Sequence, residues 1–269
     1  MSLDKSQSAD NDSSAPVVYL MYHEIEVPGR PLTDPSPGYT RYAVSRSSFT
    51  EQMRWLHLLG WRAMSVTQAL DSPHDSGVAL TFDDGCESDL TIAAPMLREF
   101  NFSATFYLTV RYLGKPGHLS HSQARQLGDS GFELGCHSLT HPYLTDLSPE
   151  KLDVEIAQAK NELEQLLGRR VDHFSCPGGR WSPQVARAAR EAGFCSVATS
   201  RPIVNRPQSD RFSLGRVAIR RNITLPEFEA IAQGRGLWRY RTADSVRAAA
   251  ARFLGNSAYD RLRSLLLSR

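Results

Sequence analysis

The sequence predicts an α/β protein built on a parallel sheet or barrel, and three observations support this fold class. Short apolar runs typical of strands alternate along the chain with longer amphipathic runs typical of helices. Polar residues suited to catalysis or metal binding directly follow several of the apolar runs. The chain has 269 residues, of which 41% are hydrophobic, and this length suits one enzyme-sized barrel domain.

The strands are predicted from short apolar runs rich in β-branched and aromatic residues and bounded by polar or turn-forming residues. In chain order they are residues 17–22, 78–82, 104–110, 132–136, 173–176, 195–199 and 212–219. The polar or turn residues that follow them are His23, Asp83 with Asp84, His137 and Pro177. Because the carboxyl ends of parallel strands converge on one face of a barrel, we expect these residues to lie together.

The helices are predicted from apolar residues that recur with the period of an α-helix. They cover residues 48–59, 92–100, 120–129, 149–167 and 183–191. Ser120 is a suitable N-cap for the third helix, and Ser148 followed by Pro149 marks the start of the fourth.

The last part of the chain, residues 222–269, has a different character. It reads as helices, with ten arginines from Arg220 onward against four acidic residues. We interpret it as a basic helical extension packed on the barrel. The alternative is a surface that contacts an anionic membrane or a lipid-linked glycan.

Charge, composition and cysteine content limit the classes of function. The net charge of +2 gives no argument for nucleic acid binding. Residues 1–16 are rich in Ser, Asp and Asn and lack the apolar core of a signal peptide, so we interpret them as a flexible leader. With no apolar run long enough to cross a bilayer, we expect a cytoplasmic protein. For the cysteines, Cys86, Cys136, Cys176 and Cys195, we favour small buried side chains with reduced thiols; a disulfide, a second metal site and a redox-sensitive rim are the alternatives.

Two short motifs carry the chemistry: Thr81-Phe82-Asp83-Asp84-Gly85 and His137-Ser138-Leu139-Thr140-His141. Two imidazoles and one carboxylate hold a divalent ion and leave coordination positions open for water and substrate. Imidazoles four residues apart in a helical turn point the same way, so we expect His137 and His141 to bind one ion. Neighbouring carboxylates at the end of a strand point to opposite sides, so one binds the ion while the other moves protons.

Each motif alone also has an ordinary explanation. Asp-Asp-Gly suits a turn, and His-x-x-x-His occurs on solvent-exposed helix faces. Non-haem iron(II) oxygenases use two histidines and one carboxylate as well, but that chemistry does not explain the second Asp. The joint occurrence of both motifs at strand ends favours a hydrolytic metal site. Zinc is the expected ion, with cobalt, nickel and iron(II) as alternatives.

The two motifs resemble those of the polysaccharide deacetylases, the NodB-type carbohydrate esterases of family 4. Thr81 to Gly85 is similar to the first motif of this family, and His137 to His141 is similar to its metal-binding motif. The resemblance implies a distorted (β/α)7-type, NodB-like barrel over residues 17–221, followed by a helical extension. It also implies removal of the acetyl group from an N-acetylated sugar, with Asp83 as general base and Asp84, His137 and His141 as zinc ligands.

Residues 174–179 are similar to the third motif of the family, Arg-x-Pro-Tyr, with two departures. Ser175 replaces the Arg that orients the base, and Gly178, after Pro177, replaces the Tyr. The backbone N–H of Gly178 still suits an oxyanion donor, since that role needs no side chain. A Pro-Gly-Gly turn is the alternative. Trp181 is a candidate for stacking on a sugar ring or a core residue.

The usual general acid of the family is a His near the C-terminal end, but no His follows His173 in this chain. Tyr22-His23-Glu24-Ile25 resembles the opening of the branch that deacetylates poly-β-1,6-N-acetylglucosamine, and this resemblance assigns the acid to His23. A His that only bonds to a loop is the alternative. The Pro- and Gly-rich segment that follows forms either one wall of a sugar groove, with Tyr39 or Tyr42 stacking on a pyranose ring, or a surface loop.

Together these residues predict metal-assisted hydrolysis of an acetamide. Asp83 accepts a proton from the attacking water, His23 protonates the leaving amine, and the ion together with the Gly178 N–H stabilises the oxyanion. The expected partner is an N-acetylated glycan. Alternatives are hydrolysis of another amide, such as a formamido sugar or a cyclic ureide, and a protein that retains the metal but only binds glycans.

Overall fold

The computed structural model describes residues 16–71 and 77–242, and these residues form the predicted α/β barrel. The strands are β1 (Val18–Tyr22), β2 (Arg62–Met64), β3 (Gly77–Phe82), β4 (Thr105–Leu108), β5 (Glu133–Cys136), β6 (His173–Ser175), β7 (Ser196–Ala198) and β8 (Val217–Ala218). They form one parallel sheet in the order β7-β6-β5-β4-β3-β1-β8, with β2 paired to the first half of β3. The register places Tyr22 beside Phe82 at the ends of β1 and β3.

The sheet curves into a distorted barrel whose last gap lies between β7 and β8. Leu214, three residues before β8, forms a parallel bridge with Ala198 of β7. Its N–H donates to the Val197 carbonyl at 2.9 Å, and its carbonyl accepts from the Thr199 N–H at 2.8 Å. Backbone hydrogen bonds around one residue therefore close the barrel.

Helices surround the sheet. They are α1 (Pro37–Thr40), α2 (Arg46–Leu58), α3 (Val66–Asp71), α4 (Ala94–Glu99), α5 (His121–Asp129), α6 (Pro149–Asp153), α7 (Ala159–Leu167), α8 (Pro183–Glu191) and α9 (Leu225–Ala232). A π-helical turn precedes α4 (Asp89–Ala93), and another joins α6 to α7 (Val154–Gln158). Short 3₁₀ turns occur at Val110–Tyr112, Leu144–Asp146, Pro177–Gly179 and Arg211–Ser213.

Most element predictions agree with these bounds, and the differences have local causes. Ser120 caps α5 in a capping box with Gln123, as its sequence position predicts. The predicted strand at 212–219 is wrong in its first half, where the chain forms a 3₁₀ turn. The elements β2, α1 and α3 were not predicted, because three to six residues are too few to show a period.

Buried residues on the two faces of the sheet form separate clusters. The face toward the helices carries large apolar side chains such as Leu20, Phe82 and Phe106. The opposite face contributes Tyr19 and Tyr107 to a smaller cluster. Since both faces of β1 and β3 are buried, these strands read as continuous apolar runs rather than as alternating ones.

The described part of the C-terminal extension packs on the barrel. Phe228 of α9 is fully buried, and its ring lies 5.9 Å from that of Trp55 on α2. Residues 1–15 of the predicted leader and residues 243–269 lie outside the described residues. Much of the predicted membrane contact was assigned to residues 243–269. Within the described ranges, no helix combines the length and apolar character needed to span a bilayer.

The cysteines are free thiols, but only three of them are buried. Cys86, Cys136 and Cys176 have no exposed surface, as predicted for small apolar side chains. Cys195 is exposed, so the expectation of burial is wrong for this residue. Cys195 directly precedes β7, and its side chain lies at the surface.

Candidate active site

Asp84, His137 and His141 come together beyond the carboxyl ends of β3 and β5. One ligand atom from each residue lies within 4.8 Å of the other two. Asp84 Oδ1 is 3.6 Å from His137 Nε2 and 3.4 Å from His141 Nε2. This oxygen is buried and has no hydrogen-bond partner among the described residues. Because a cation would satisfy a carboxylate oxygen that is otherwise orphaned, the three residues fit a divalent metal site.

The backbone of the histidine motif is a loop, so the predicted helical turn is wrong. Ser138 and His141 have φ angles of 67° and 70°, in the left-handed region that side chains disfavour. Ser138 Oγ accepts the His141 N–H at 2.9 Å. Glu155, on the π-helical turn, accepts bonds from the backbone N–H groups of Leu139 and Thr140 at 3.1 and 2.9 Å. These bonds hold the loop in a conformation that the local sequence would not adopt alone.

His137 is oriented by a hydrogen bond on the far side of its ring. Its Nδ1 lies 2.9 Å from the carbonyl oxygen of Ser175. Since a carbonyl only accepts, Nδ1 carries the proton and Nε2 presents its lone pair to the site. Burial, which outweighs the attraction of Asp83, lowers the pKa of His137 to about 4. The ring is therefore neutral near pH 7, which is the form that binds a metal ion.

Asp83 points to the other side of the motif, where a buried arginine holds it. Arg216 Nη1 and Nη2 donate to the two carboxylate oxygens at 2.7 and 2.8 Å. The remaining donors bond to Thr81 Oγ1, Ser175 Oγ and the Thr199 carbonyl. All five N–H groups of this fully buried guanidinium thus have acceptors.

The charge of Arg216 also decides the ionisation of Asp83. Burial alone would raise the pKa of this carboxyl, but Arg216, followed by His137, holds the pKa well below its usual range. Ser175 accepts one of the hydrogen bonds from this guanidinium, whose residue directly precedes β8. The third motif therefore lacks an Arg of its own, while an Arg from another part of the chain contacts the Asp83 carboxylate.

Sequence reasoning missed Arg216. The signal was a single arginine inside the apolar run from Leu214 to Ile219. A charged residue in such a run is buried only when a partner of opposite charge meets it, and the sequence did not show which residue that partner was.

His23 lies at the same level of the barrel as Asp83. Tyr22 and Phe82 are paired across β1 and β3, and the Asp83 N–H donates to the Tyr22 carbonyl at 3.0 Å. His23, the residue after β1, is close enough to contribute to the lowered pKa of Asp83. Its Nδ1 is buried without a hydrogen-bond partner among the described residues. The two residues predicted to move protons are thus brought to one site.

The two tyrosines of the segment after His23 contact residues of the candidate site and of the loop after Asp84. The ring of Tyr42 packs against the ring of His23, with 5.0 Å between centroids. The hydroxyl of Tyr39 lies 3.3 Å from the sulfur of Cys86. Tyr42 therefore contacts the candidate acid directly, and Tyr39 is turned toward the loop that follows Asp84.

The third motif forms a 3₁₀ turn that presents the backbone of Gly178. This residue is exposed, has a φ of 58°, and uses its N–H in no hydrogen bond within the described part of the chain. A Cβ added here would lie 2.6 Å from Cε1 of Tyr143. The Tyr143 ring thus occupies the space that a side chain at 178 would need, and a glycine is required on both counts.

Pro177 and Trp181 flank this turn. Pro177 is buried at the start of the turn, and Cys176 separates it from β6. The Trp181 indole donates to the Phe212 carbonyl at 2.7 Å and packs against the main core cluster. This environment favours the core role for Trp181 over stacking on a sugar.

Comparison with known proteins shows that the chain is similar to deacetylases. The sequence model of the polysaccharide deacetylase family matches residues 71–197, which include both motifs and the turn at Gly178. Over 222 residues the chain is 25% identical to YxkH of Bacillus subtilis, covering 80% of this chain and 76% of that protein. Over 141 residues it is 33% identical to a chitooligosaccharide deacetylase of Azorhizobium caulinodans, covering 52% of this chain and 63% of that one.

A solved structure extends the similarity beyond this interval. IcaB from Ammonifex degensii superposes with a TM-score of 0.69 and 27% sequence identity. The match covers 82% of this chain and 98% of that one. The match is therefore longer than the interval matched by the family model.

Proposed function

Since this chain carries a polysaccharide deacetylase domain of the NodB type, we propose that it is a metal-dependent de-N-acetylase. Its substrate is the acetamide of an N-acetylated sugar in a polysaccharide, an oligosaccharide or a lipid-linked glycan. The observation that carries the proposal is that two adjacent carboxylates have different partners. Asp84 has an orphaned oxygen beside two imidazoles, while Asp83 is held apart by Arg216.

The proposed ligands are Asp84, His137 and His141, with zinc as the ion and cobalt, nickel or iron(II) as alternatives. An ion bound there supplies Lewis-acid activation of water and of the acetamide carbonyl. The protein prepares this site in advance, because the bond from His137 Nδ1 to Ser175 leaves Nε2 facing Asp84.

Asp83 is the proposed general base. Both of its oxygens are bonded to Arg216, so the carboxylate is ionised and cannot rotate. Its Oδ2 lies 3.8 Å from His137 Nε2, which places the base at the edge of the ligand set. A water held at that edge would be within reach of a proton acceptor that does not itself bind the metal.

His23 is the proposed general acid, and Gly178 supplies the proposed oxyanion donor. His23 follows β1 at the level of Asp83, so acid and base approach the acetamide from adjacent strands. Protonation of the amine by His23 lets the carbon–nitrogen bond break without forming an amide anion. The Gly178 N–H, fixed by the turn after Pro177, is directed by the backbone alone and needs no reorganisation.

The test is acetate release from β-1,6-linked and β-1,4-linked N-acetylglucosamine oligomers by the zinc-loaded protein. We expect release that stops on chelation, returns with zinc, and is absent in Asp83→Asn. His57→Gln, an exposed residue at the end of α2, is the matched control and should behave as wild type. No release from either linkage while zinc is bound would contradict the proposal and favour another amide substrate or a glycan-binding protein.

A further inference from the structure

The two proposed imidazole ligands are held in different ways. The ring of His137 is fixed by its hydrogen bond to Ser175. Within residues 16–71 and 77–242, no hydrogen bond reaches the ring of His141, whose side chain is 27% exposed. Instead, the ring of Tyr112 lies against it, with 5.7 Å between centroids and 28° between planes. The other neighbours of this imidazole are the edge of the His137 ring and Asp84 Oδ1, 3.4 Å from Nε2, so the Tyr112 ring is the contact that covers a face of the His141 ring.

Tyr112 is itself held in place. It ends the 3₁₀ turn that follows β4, and its ring is 4.8 Å from the ring of His118. The ammonium group of Lys115 lies 4.8 Å from the ring centroid. Burial, reinforced by Asp84, raises the pKa of Tyr112 to about 12, so the phenol is neutral near pH 7. The ring therefore presents a fixed, uncharged surface to His141.

The segment that carries Tyr112 also contacts both ligand-bearing loops. We call residues 109–119 the β4–α5 loop. Two of its N–H groups donate to the histidine loop, and its other end exchanges bonds with the loop after Asp84. These bonds are Val110 to Ser138 at 3.2 Å, Arg111 to Leu139 at 2.9 Å, Leu119 to Gly85 at 2.9 Å, and Glu87 to Gly117 at 2.8 Å. One loop thus spans the distance between the carboxylate ligand and the second histidine.

We propose that Tyr112 is a positioning residue for the metal site, whose ring sets the orientation of the His141 imidazole. The inference rests on the proposed metal site and is independent of which glycan is the substrate. A ligand that is already oriented loses less conformational freedom on binding, so metal affinity depends on the stacked ring. Loss of an outer contact of this kind typically costs about 10- to 100-fold in metal affinity.

The test is the zinc dissociation constant of the full chain, measured by competition with a chelating dye. Tyr112→Leu removes the ring and should weaken zinc binding by about 10- to 100-fold. Tyr112→Phe keeps the ring and should bind as tightly as wild type. Tyr42→Leu is the matched control, because that ring stacks on His23, which is not a ligand, and its zinc affinity should not change.

The cobalt(II) absorption spectrum gives a second readout, since a reoriented imidazole changes the visible bands of Tyr112→Leu but not of Tyr112→Phe. The melting temperature of the metal-free variant shows that it is folded, and Tyr112→Met replaces the leucine variant if that does not fold. Wild-type zinc affinity in the folded variant without the ring, or equal weakening in Tyr112→Phe, would overturn the inference. Ring-dependent zinc binding without acetate release would instead overturn the proposed function and leave the inference standing.

Discussion

Replacing Arg216 with methionine should cost the protein a large part of its stability. Arg216 is fully buried and the Asp83 side chain is 3% exposed, so the substitution leaves an unpaired carboxylate in the interior. Its one remaining bond among the described residues is a long one, from Ser175 Oγ at 3.4 Å. Breaking a buried pair in this way costs about 3–5 kcal/mol. Against a total stability of roughly 5–15 kcal/mol, Arg216→Met should be folded but markedly weakened.

A double-mutant cycle separates the ion pair from ordinary packing. Arg216→Met combined with Asp83→Asn removes both charges, so no uncompensated charge remains buried. We expect the double variant to be more stable than Arg216→Met alone, with a coupling energy on the order of 1–3 kcal/mol. The assay is the free energy of unfolding in urea for the four proteins. Additive effects, or a loss below about 1 kcal/mol in Arg216→Met, would refute the reasoning.

Arg216→Met should also change the pH dependence of stability and of acetate release. A carboxyl whose pKa is lowered on folding contributes stability above its unfolded pKa of about 3.9 and loses it as the pH falls through the folded value. Without Arg216, burial is no longer opposed by the arginine and the pKa of Asp83 rises. The acid limb of kcat/KM for residual acetate release should then move to higher pH in Arg216→Met, and an unmoved limb would argue against Asp83 as the base.

Three further predictions concern separate parts of the site. His23→Gln should lower acetate release by about 10²- to 10⁴-fold and leave zinc affinity unchanged. His57→Gln should change neither acetate release nor zinc affinity. Gly178→Ala should lower the free energy of unfolding in urea by about 1–3 kcal/mol more than Gly168→Ala does. Both glycines have a positive φ, but only a Cβ at position 178 would meet an aromatic ring, that of Tyr143, within 4 Å. Equal losses would remove the argument for that contact. In the metal-free protein the His137 imidazole should stay neutral until the pH falls near its pKa of about 4, which NMR titration of this ring would show; a titration of the ring near pH 6.5 would mean that burial does not keep it neutral.

The sequence predicts the residues that meet at the candidate metal site but not the backbone that presents them. Asp84 and His137 were expected to lie together because each directly follows a predicted strand, and strand ends of a parallel barrel share one face. His141 was predicted from its spacing to His137. The left-handed residues in the histidine loop were not predicted. Their conformation depends on Glu155, which reaches the loop from a helix that comes later in the chain.

Arg216 lay beyond sequence reasoning for a similar reason. It contacts Asp83 across a separation of 133 residues, and the contact exists only when β8 pairs with β1. The strand β8 has two residues, too few to show a period. The cytoplasmic location and the membrane contact of the C-terminal helices stay predictions.

Barrel closure has a consequence for when the site becomes complete during synthesis. The proposed metal ligands have all been made once the chain reaches His141, but the strand next to Arg216 begins only at Val217. Leu214, two residues before Arg216, bridges the gap to β7, so the arginine that holds Asp83 lies at the closing edge of the barrel. Domains generally fold as units, so the base should be oriented only when this edge has been made, although the proposed metal ligands lie much earlier in the chain. Hydrolytic competence should therefore arrive with the last strand.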